Sequence, residues 1–203
     1  MEFFGYAFFK DCISPDPKKV ADVVNHQTPS TASDLELRSL LGMTNYYSRF
    51  IPDYATKTEL LCKLTNKDQP WCWTEEQDHA VSQLKEAVVS AHFTAYFDPE
   101  KDTDISVDAS PVGVAAILTQ VDPKTEESHV ITYASRSFTA TNSQTELEAL
   151  VVVWACEHLH LYIYGKTVTV YTDHKPLASI YGNPSSKPPA RIEKWVYDFI
   201  RTG

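Results

Sequence analysis

Residues 103–135 read TDISVDASPVGVAAILTQVDPKTEESHVITYAS, and this stretch decides the fold class. Polar and apolar side chains alternate along three of its segments, as they do in strands that bury one face. The turn-forming pair Ser110-Pro111 and the polar run 122–128 separate these segments. The pattern therefore predicts three consecutive β-strands, at 103–109, 113–121 and 129–135.

A long helix and a fourth strand are predicted next. Apolar residues recur at helical intervals along 142–164, and Gly165 follows as a stop signal. Residues 166–172 alternate again, and a last helix is predicted at 190–200. A helix between two strands usually crosses over to a parallel neighbour, so the sequence predicts a mixed α/β sheet with flanking helices. The side chains on one face of this helix are expected to point towards the core: Leu147, Leu150, Val151, Trp154, His158 and Leu161.

The region before this sheet is predicted to be mainly helical. Residues 2–10 are short and aromatic and predict a strand, after which Asp16 and Pro17 have the pattern of a helix start. A polar linker is expected at 26–33, and helices over most of 28–70. Two further helix starts are predicted from capping-box spacing, at Ser33 with Glu36 and at Thr74 with Gln77.

Composition excludes several classes of protein. With 203 residues, 43% hydrophobic and 22% charged, the chain has a globular composition and enough length for a core. No apolar run approaches the roughly 18 residues of a membrane helix, and Glu2 stands where an export signal is basic. We therefore expect an intracellular protein, cytoplasmic or nuclear, with no membrane contact. The four cysteines have no paired spacing, which predicts free thiols.

Charge is distributed unevenly along the chain. The net charge of −9 argues against a general basic surface for nucleic acid. Residues 75–148 contain 14 acidic and four basic side chains, whereas 166–203 contain three acidic and six basic ones. One interpretation is a solvated acidic face. The other is a cation site beside a strip that meets phosphate, and composition alone leaves both open.

Three acidic residues fall on three separate predicted elements. Asp108 lies on the first strand of the sheet, Glu146 in the first turn of the long helix, and Asp173 at the end of the fourth strand. Carboxylates brought to one end of a sheet can hold Mg²⁺, which takes oxygen ligands. Two such ions about 4 Å apart can clamp the attacking and leaving oxygens of a phosphodiester. Helix geometry does not choose between Glu146 and Glu148 as the third ligand.

Seven stretches of the chain resemble the Pol polyproteins of retroviruses and retrotransposons, most of all reverse transcriptases of the Ty3/gypsy type. The resemblance is collinear and covers nearly the whole chain. The first stretch is similar to the hairpin at the end of the palm, the next two to the thumb and connection, and the last four to the ribonuclease H region. In order they are EFFGYAFFKDCISPDPKKV (2–20), ELRSLLGMTNYYSRFIPDYA (36–55), WTEEQDHAVSQLKEAV (73–88), VDASPVGVAAILTQ (107–120), HVITYASRSF (129–138), TELEALVVVWA (145–155) and VYTDHKPLASI (170–180).

The resemblance implies a domain order. An RNase H-like mixed sheet with flanking helices is expected to follow a mostly helical thumb and connection segment. The implied boundaries are 1–27 for the end of the palm with its primer-grip-like hairpin, 28–70 for thumb-like helices, 71–100 for the connection and 101–203 for a C-terminally truncated RNase H-like domain.

The resemblance also implies an activity. It carries the family's catalytic acids onto Asp108, Glu146 and Asp173, which would bind two Mg²⁺ or Mn²⁺ ions. The site would hydrolyse the RNA strand of an RNA/DNA hybrid with water as the nucleophile. It would recognise the hybrid by the shape of its backbone and by the 2′-hydroxyl. The implied partners are the hybrid and the rest of the Pol polyprotein, with its fingers and palm. Side chains expected to contact nucleic acid are Arg136, His174, Arg191 and Lys194.

Two features of the family have no counterpart in these residues. The polymerase turn Tyr-x-Asp-Asp is missing, and so is the fourth catalytic Asp, which in the family follows a helix represented here by Arg191 and Trp195. We therefore expect nuclease activity in a full-length parent, weak or no activity in residues 1–203 alone, and no polymerase site. The alternative is a domesticated or decayed module that binds nucleic acid or a protein partner without catalysis.

Overall fold

The structure of the chain, a computed structural model, forms two compact units, residues 1–96 and 97–203. For residues 34 and 144–150 the structure describes the backbone only. None of the described helices is both long enough and apolar enough to cross a membrane. The described residues are 1–26, 34–67, 70–91, 93–138 and 144–173.

The first unit combines a small antiparallel sheet with a group of helices. The sheet has the strand order β1-β2-β3-β4, and its last strand follows the helices in sequence. The elements in chain order are β1 (Glu2–Phe3), β2 (Tyr6–Phe8), β3 (Cys12–Pro15), α1 (Pro17–Asn25), α2 (Asp34–Asn45), a 3-10 helix (Ser48–Phe50), α3 (Tyr54–Leu64), α4 (Glu75–Val89) and β4 (Thr94–Ala95).

The single strand predicted at 2–10 is wrong, because the chain reverses within it to form the β1–β2 hairpin. Phe4 and Gly5 occupy the turn with φ of 48° and 76°. Two successive left-handed residues match the right-handed twist of the flanking strands, as a two-residue hairpin requires. Tyr46 fixes the turn, since its hydroxyl donates to the Phe4 carbonyl and its ring stacks on Tyr6 at 4.9 Å.

Buried apolar side chains join the helices of the first unit. The chain is helical through most of 34–64, as predicted, with an interruption after Asn45. The cap predicted at Ser33 lies outside the described residues, whereas the one at Thr74 is confirmed: the Thr74 N–H donates to Gln77 Oε1 at 2.9 Å. The central buried side chains are Leu37, Leu40, Phe50, Ile51, Leu61, Val81, Leu84 and Val88.

The second unit contains the predicted mixed sheet. Its described strands lie in the order β7-β6-β5-β8, with β5 parallel to β8 and the other neighbours antiparallel. The helix between β7 and β8 makes the crossover that a parallel pair needs. The elements are β5 (Asp102–Ala109), β6 (Gly113–Val121), β7 (Ser128–Ser137), α5 (Gln144–His158), α6 (His160–Ile163) and β8 (Val168–Thr172). The helix predicted at 190–200 lies outside the described residues.

One face of this sheet forms the core of the second unit. Along β5 the side chains of Ile105 and Val107 are buried, whereas those of Ser106 and Asp108 are exposed. Helix α5 packs near β5 and β6. Among the described side chains of α5 and of the turn that follows it, the buried ones are Val151, Val153, Trp154, Ala155, Cys156 and Leu159. The period of two seen in the sequence therefore separates a buried face from an open one.

The predicted inward positions at the end of the long helix are wrong. His158 is exposed, and Leu161 is 93% exposed. Helix α5 ends at His158, and a separate short helix, α6, begins at His160. The 3.6-residue period does not continue across that break, so Leu159 and Ile163 take the buried positions instead. Of the other predicted positions, Leu147 and Leu150 have side chains outside the description.

A β-bulge interrupts the pairing of β6 with β7. The register shifts between Leu118 and Thr119, so that Leu118 pairs with Thr132 while Thr119 pairs with Val130. Ile131 is the extra residue, and both it and Thr132 are buried. An extra residue moves every later side chain of β7 to the opposite face.

Candidate active site

Two of the predicted acids lie at adjacent strand ends. Asp108 is the next-to-last residue of β5, and Asp173 directly follows β8. The parallel register pairs Val107 with Thr172, so the next residue along each strand brings Asp173 beside Asp108. Neighbouring strands are about 4.8 Å apart. The backbone alone therefore brings these two carboxylates together.

The two acids lie on the open face of the sheet. Paired residues of neighbouring strands share a face, and the pair Ser106 and Tyr171 precedes the acids by two residues on each strand. Tyr171 is 54% exposed, and both Asp108 and Asp173 are exposed. Within the described part of the chain, neither carboxylate has a hydrogen bond or an ion pair. Their oxygens therefore remain available to a ligand.

The third predicted acid, Glu146, lies in the first turn of α5. Its side chain and that of Glu148 are outside the description, so the choice between them stays a prediction. Among the described residues, no group of three or more His, Cys, Asp or Glu side chains could hold a metal ion. The two carboxylates that the register does bring together are hard oxygen donors, the ligand type that Mg²⁺ and Mn²⁺ take.

A tight turn follows Asp108 directly and was not singled out by the sequence pattern as part of a site. It runs from Ser110 to Gly113 and joins β5 to β6. The Ser110 N–H donates to the Gly113 carbonyl at 2.9 Å, and the Ser110 Oγ accepts the Gly113 N–H at 3.1 Å. A Ser-Pro pair at the end of a strand signals a turn, but the hydroxyl contacts are visible only in the structure.

The predicted nucleic-acid contacts are only partly within the described residues. Arg136 is exposed near the end of β7 and pairs with Val114, which places it on the face opposite to Asp108. On the Asp108 face, the row across the sheet is Asp108, Ala115 and Ser135. The other three predicted contacts lie outside the described residues: His174, Arg191 and Lys194.

The mixed sheet with its crossover helix has the architecture of an RNase H-like domain. Residues 73–170 match the family described as the RNase H-like domain found in reverse transcriptase, a nuclease-type family. The sequence is homologous over nearly its full length to retrotransposon Pol polyproteins, so the predicted kinship with the Ty3/gypsy type is confirmed.

Three of these relatives show how the chain aligns. It is 36% identical over 97% of its length to the retrovirus-related Pol polyprotein from transposon 412 of Drosophila melanogaster, and 33% identical over 96% to that from transposon opus of the same organism. It is 28% identical over 96% of its length to the transposon Tf2-3 polyprotein of Schizosaccharomyces pombe. The chain spans only 16%, 20% and 15% of these three proteins.

Solved structures support the fold class. The dRH form of the foamy viral protease-reverse transcriptase in complex with ds DNA matches 99% of this chain with a TM-score of 0.79. The same type of enzyme in complex with RNA/DNA hybrid matches 98% with a TM-score of 0.77. Sequence identity is 19% in both, and the chain covers 36% and 27% of those proteins. The likeness therefore concerns the fold, and it confirms the predicted RNase H-like mixed sheet.

Proposed function

We propose that this chain supplies the metal-dependent hydrolysis of the RNA strand of RNA/DNA hybrids within a retrotransposon polyprotein. The observation that carries the proposal is the register of β5 and β8, which brings Asp108 beside Asp173 on an open face. The proposed third ligand is Glu146, at the start of the helix that packs on β5 and β6. The domain order inferred from the sequence, from palm end to RNase H-like domain, belongs to the same proposal.

The proposed chemistry is supported by two carboxylates that have no hydrogen bond or ion pair among the described residues. Asp108 and Asp173 would hold a divalent cation between two strand ends, and their exposure leaves room for a phosphodiester backbone. When bound, Mg²⁺ or Mn²⁺, as two ions in the family, would activate water and neutralise charge on the phosphate. The pairing of β5 with β8 extends to Val107 and Thr172, so it fixes the backbone directly before both acids before any ion binds. Preorganisation of this kind reduces the cost of assembling the site.

A structural neighbour supports the proposed substrate. An RNA/DNA hybrid is the ligand in one structural neighbour, and recognition of such a duplex rests on its shape and on the 2′-hydroxyl more than on base sequence. The fingers and palm would come from the rest of a longer polyprotein. This chain spans 16% of the transposon 412 polyprotein. The fourth family Asp has no counterpart in residues 1–203, so we propose weak cleavage by these residues alone.

The test compares two proteins: residues 1–203, and an extended chain in which they are joined to the segment that follows the matched region in the transposon 412 polyprotein. Both are given a hybrid with end-labelled RNA, an RNA/RNA duplex and a DNA/DNA duplex, with Mg²⁺, Mn²⁺ or EDTA. We expect metal-dependent cleavage of the hybrid by the extended chain, and little or none by residues 1–203. Binding of Mn²⁺ should still be detectable in the shorter protein.

The deciding variant is Asp108→Asn in the extended chain, which should lower cleavage by orders of magnitude because one ligand of a cooperative site is lost. Its matched control is Asp104→Asn, on the same face of the same strand but four residues away. Cleavage retained in Asp108→Asn contradicts the site. Hybrid binding without cleavage in every protein would favour the non-catalytic module.

A further inference from the structure

We propose that Ser110 is a positioning residue that holds Asp108 in register for the reaction. The inference rests on the proposed function, because Asp108 has a role only if the site binds metal. Ser110 lies two residues after Asp108, at the point where β5 turns into β6. The contacts of its hydroxyl carry the argument.

The Ser110 hydroxyl uses all of its hydrogen-bonding capacity within the turn. It accepts the Gly113 N–H at 3.1 Å and the Val112 N–H at 3.3 Å, and it donates to the Gly113 carbonyl at 3.2 Å. A serine hydroxyl has one donor and two acceptor lone pairs. None is left for a metal ion or a substrate oxygen, so Ser110 can act only through the geometry of the turn.

The same turn is held from its other side by β7. The Phe138 N–H donates to the Val112 carbonyl at 2.9 Å. A Cβ added to Gly113 would lie well under 3.0 Å from the Arg136 carbonyl oxygen, so the two backbones meet too closely for any side chain. The β6 end of the turn is therefore fixed to β7, and Ser110 fixes the β5 end to β6.

The position of Asp108 depends on this connection. The last rung of the β5–β6 ladder is Ala109 with Val114, directly before the turn, and Asp108 with Ala115 is the rung before it. Without the hydroxyl, the N–H groups of Val112 and Gly113 lose this acceptor, and the end of β5 is joined to the turn by the backbone hydrogen bond from the Ser110 N–H to the Gly113 carbonyl without the support of the side chain. A displacement of about 1 Å at a reacting group can cost as much as a hundredfold in rate.

The experiment uses the extended chain with Ser110→Ala, Ser110→Thr and the control Ser128→Ala. Ser128 starts β7 at the opposite end of the sheet and is exposed, so the control removes the same hydroxyl away from the acids. For Ser110→Ala we expect kcat to fall about tenfold and the Mn²⁺ concentration for half-maximal rate to rise. The KM for hybrid should stay within about twofold, since Ser110 does not contact substrate. Ser110→Thr, which keeps the hydroxyl, should recover the rate.

The thermal midpoints separate positioning from general destabilisation. Ser110→Ala loses three hydrogen bonds and should melt lower than Ser128→Ala, but at an assay temperature below both midpoints both variants are folded, and only the first should lose rate. An unchanged kcat in Ser110→Ala, a loss confined to KM, or no recovery in Ser110→Thr would overturn the inference while leaving the proposed function intact. If the unsubstituted extended chain does not cleave hybrid, the proposed function fails and this inference fails with it.

Discussion

The two units of the molecule are stabilised in different ways. In residues 1–96, side chains from several helices meet in one apolar cluster, and the small sheet lies beside them. In the second unit, strand pairing fixes which residues are neighbours, and the candidate acids lie at the ends of paired strands. The proposed chemistry belongs to the second unit because the register of β5 and β8 brings two acids to adjacent strand ends there.

The largest expected effect tests how strongly the stability of the first unit depends on the volume of a buried side chain. Phe50 is completely buried in its cluster, so Phe50→Ala should lower the free energy of unfolding by about 3 to 5 kcal/mol through lost burial and an unfilled cavity. Urea unfolding measures the loss, and hydrogen exchange should localise it to the helices of residues 34–89. Phe4, which is 76% exposed, is the control, and Phe4→Ala should change stability by less than about 1 kcal/mol. Equal losses in the two variants would refute the account of this core.

A pair of glycine substitutions sharpens the comparison directly. In the second unit, Gly113→Ala forces a Cβ against the Arg136 carbonyl and should destabilise by about 1 to 3 kcal/mol. In helix α2 of the first unit, a Cβ on Gly42 meets nothing within 4 Å, so Gly42→Ala should stabilise by up to about 1 kcal/mol through helix propensity. Denaturant midpoints of both variants give the result. If both substitutions changed the free energy of unfolding in the same direction, the close approach of two backbones at Gly113 would not be the cause of its effect.

A smaller effect is expected at the end of α1. The Lys85 ammonium donates to the carbonyls of Val24 at 3.0 Å and His26 at 2.5 Å, where the helix leaves carbonyls without intrahelical partners. Lys85→Met keeps the aliphatic stem and should cost about 1 to 2 kcal/mol, with faster hydrogen exchange in residues 17–26. Lys63→Met, which removes only an ion pair with Glu59 within α3, should cost about 0.5 kcal/mol or less. A cost for Lys85→Met no greater than for Lys63→Met would contradict this cap.

The smallest effect concerns the cysteines. Burial raises the pKa of the Cys156 thiol from the ordinary 9.0 to about 11, so the folded state keeps it protonated at a pH where the unfolded chain ionises. The contribution of this thiol to stability is therefore complete below about pH 8.5 and is lost as pH rises towards 11. Iodoacetamide at pH 8, followed by peptide mass spectrometry, should label exposed Cys72 quickly and Cys156 slowly. Equal labelling rates in the folded protein would show that Cys156 is not protected.

The sequence predicted the sheet of the second unit well because alternation survives wherever a strand buries one face. All four described strands lie where period two placed them, and the helix predicted before the fourth strand is present, whereas the pairing of that strand with β5 is seen only in the structure. The neighbouring positions of Asp108 and Asp173 follow from this topology. Their assignment as ligands came from a resemblance, since acids far apart in sequence carry no signal by spacing.

Other features could not be predicted because they depend on contacts that periodicity does not encode. The hairpin at Phe4 needs a left-handed phenylalanine, a conformation that short-range rules assign to glycine or asparagine. The end of α5 at His158 shifted the inward positions of the next turn to Leu159 and Ile163. The role proposed for Ser110 rests on three hydrogen bonds made by one oxygen, which no sequence pattern specifies.

The bulge at Ile131 has a consequence for how this domain can diverge. The extra residue determines on which face of the sheet the later side chains of β7 lie. As a result, Ser135 shares the row of Asp108 and Arg136 does not. Loss of the Ile131 codon would remove the bulge and leave Ser135 in the row of Asp108, whereas loss of one codon between Thr132 and Ala134, with the bulge kept, would bring the guanidinium of Arg136 into that row. A deletion of this kind would alter the electrostatics of the open face by moving side chains that are already present, without the introduction of a new charged residue.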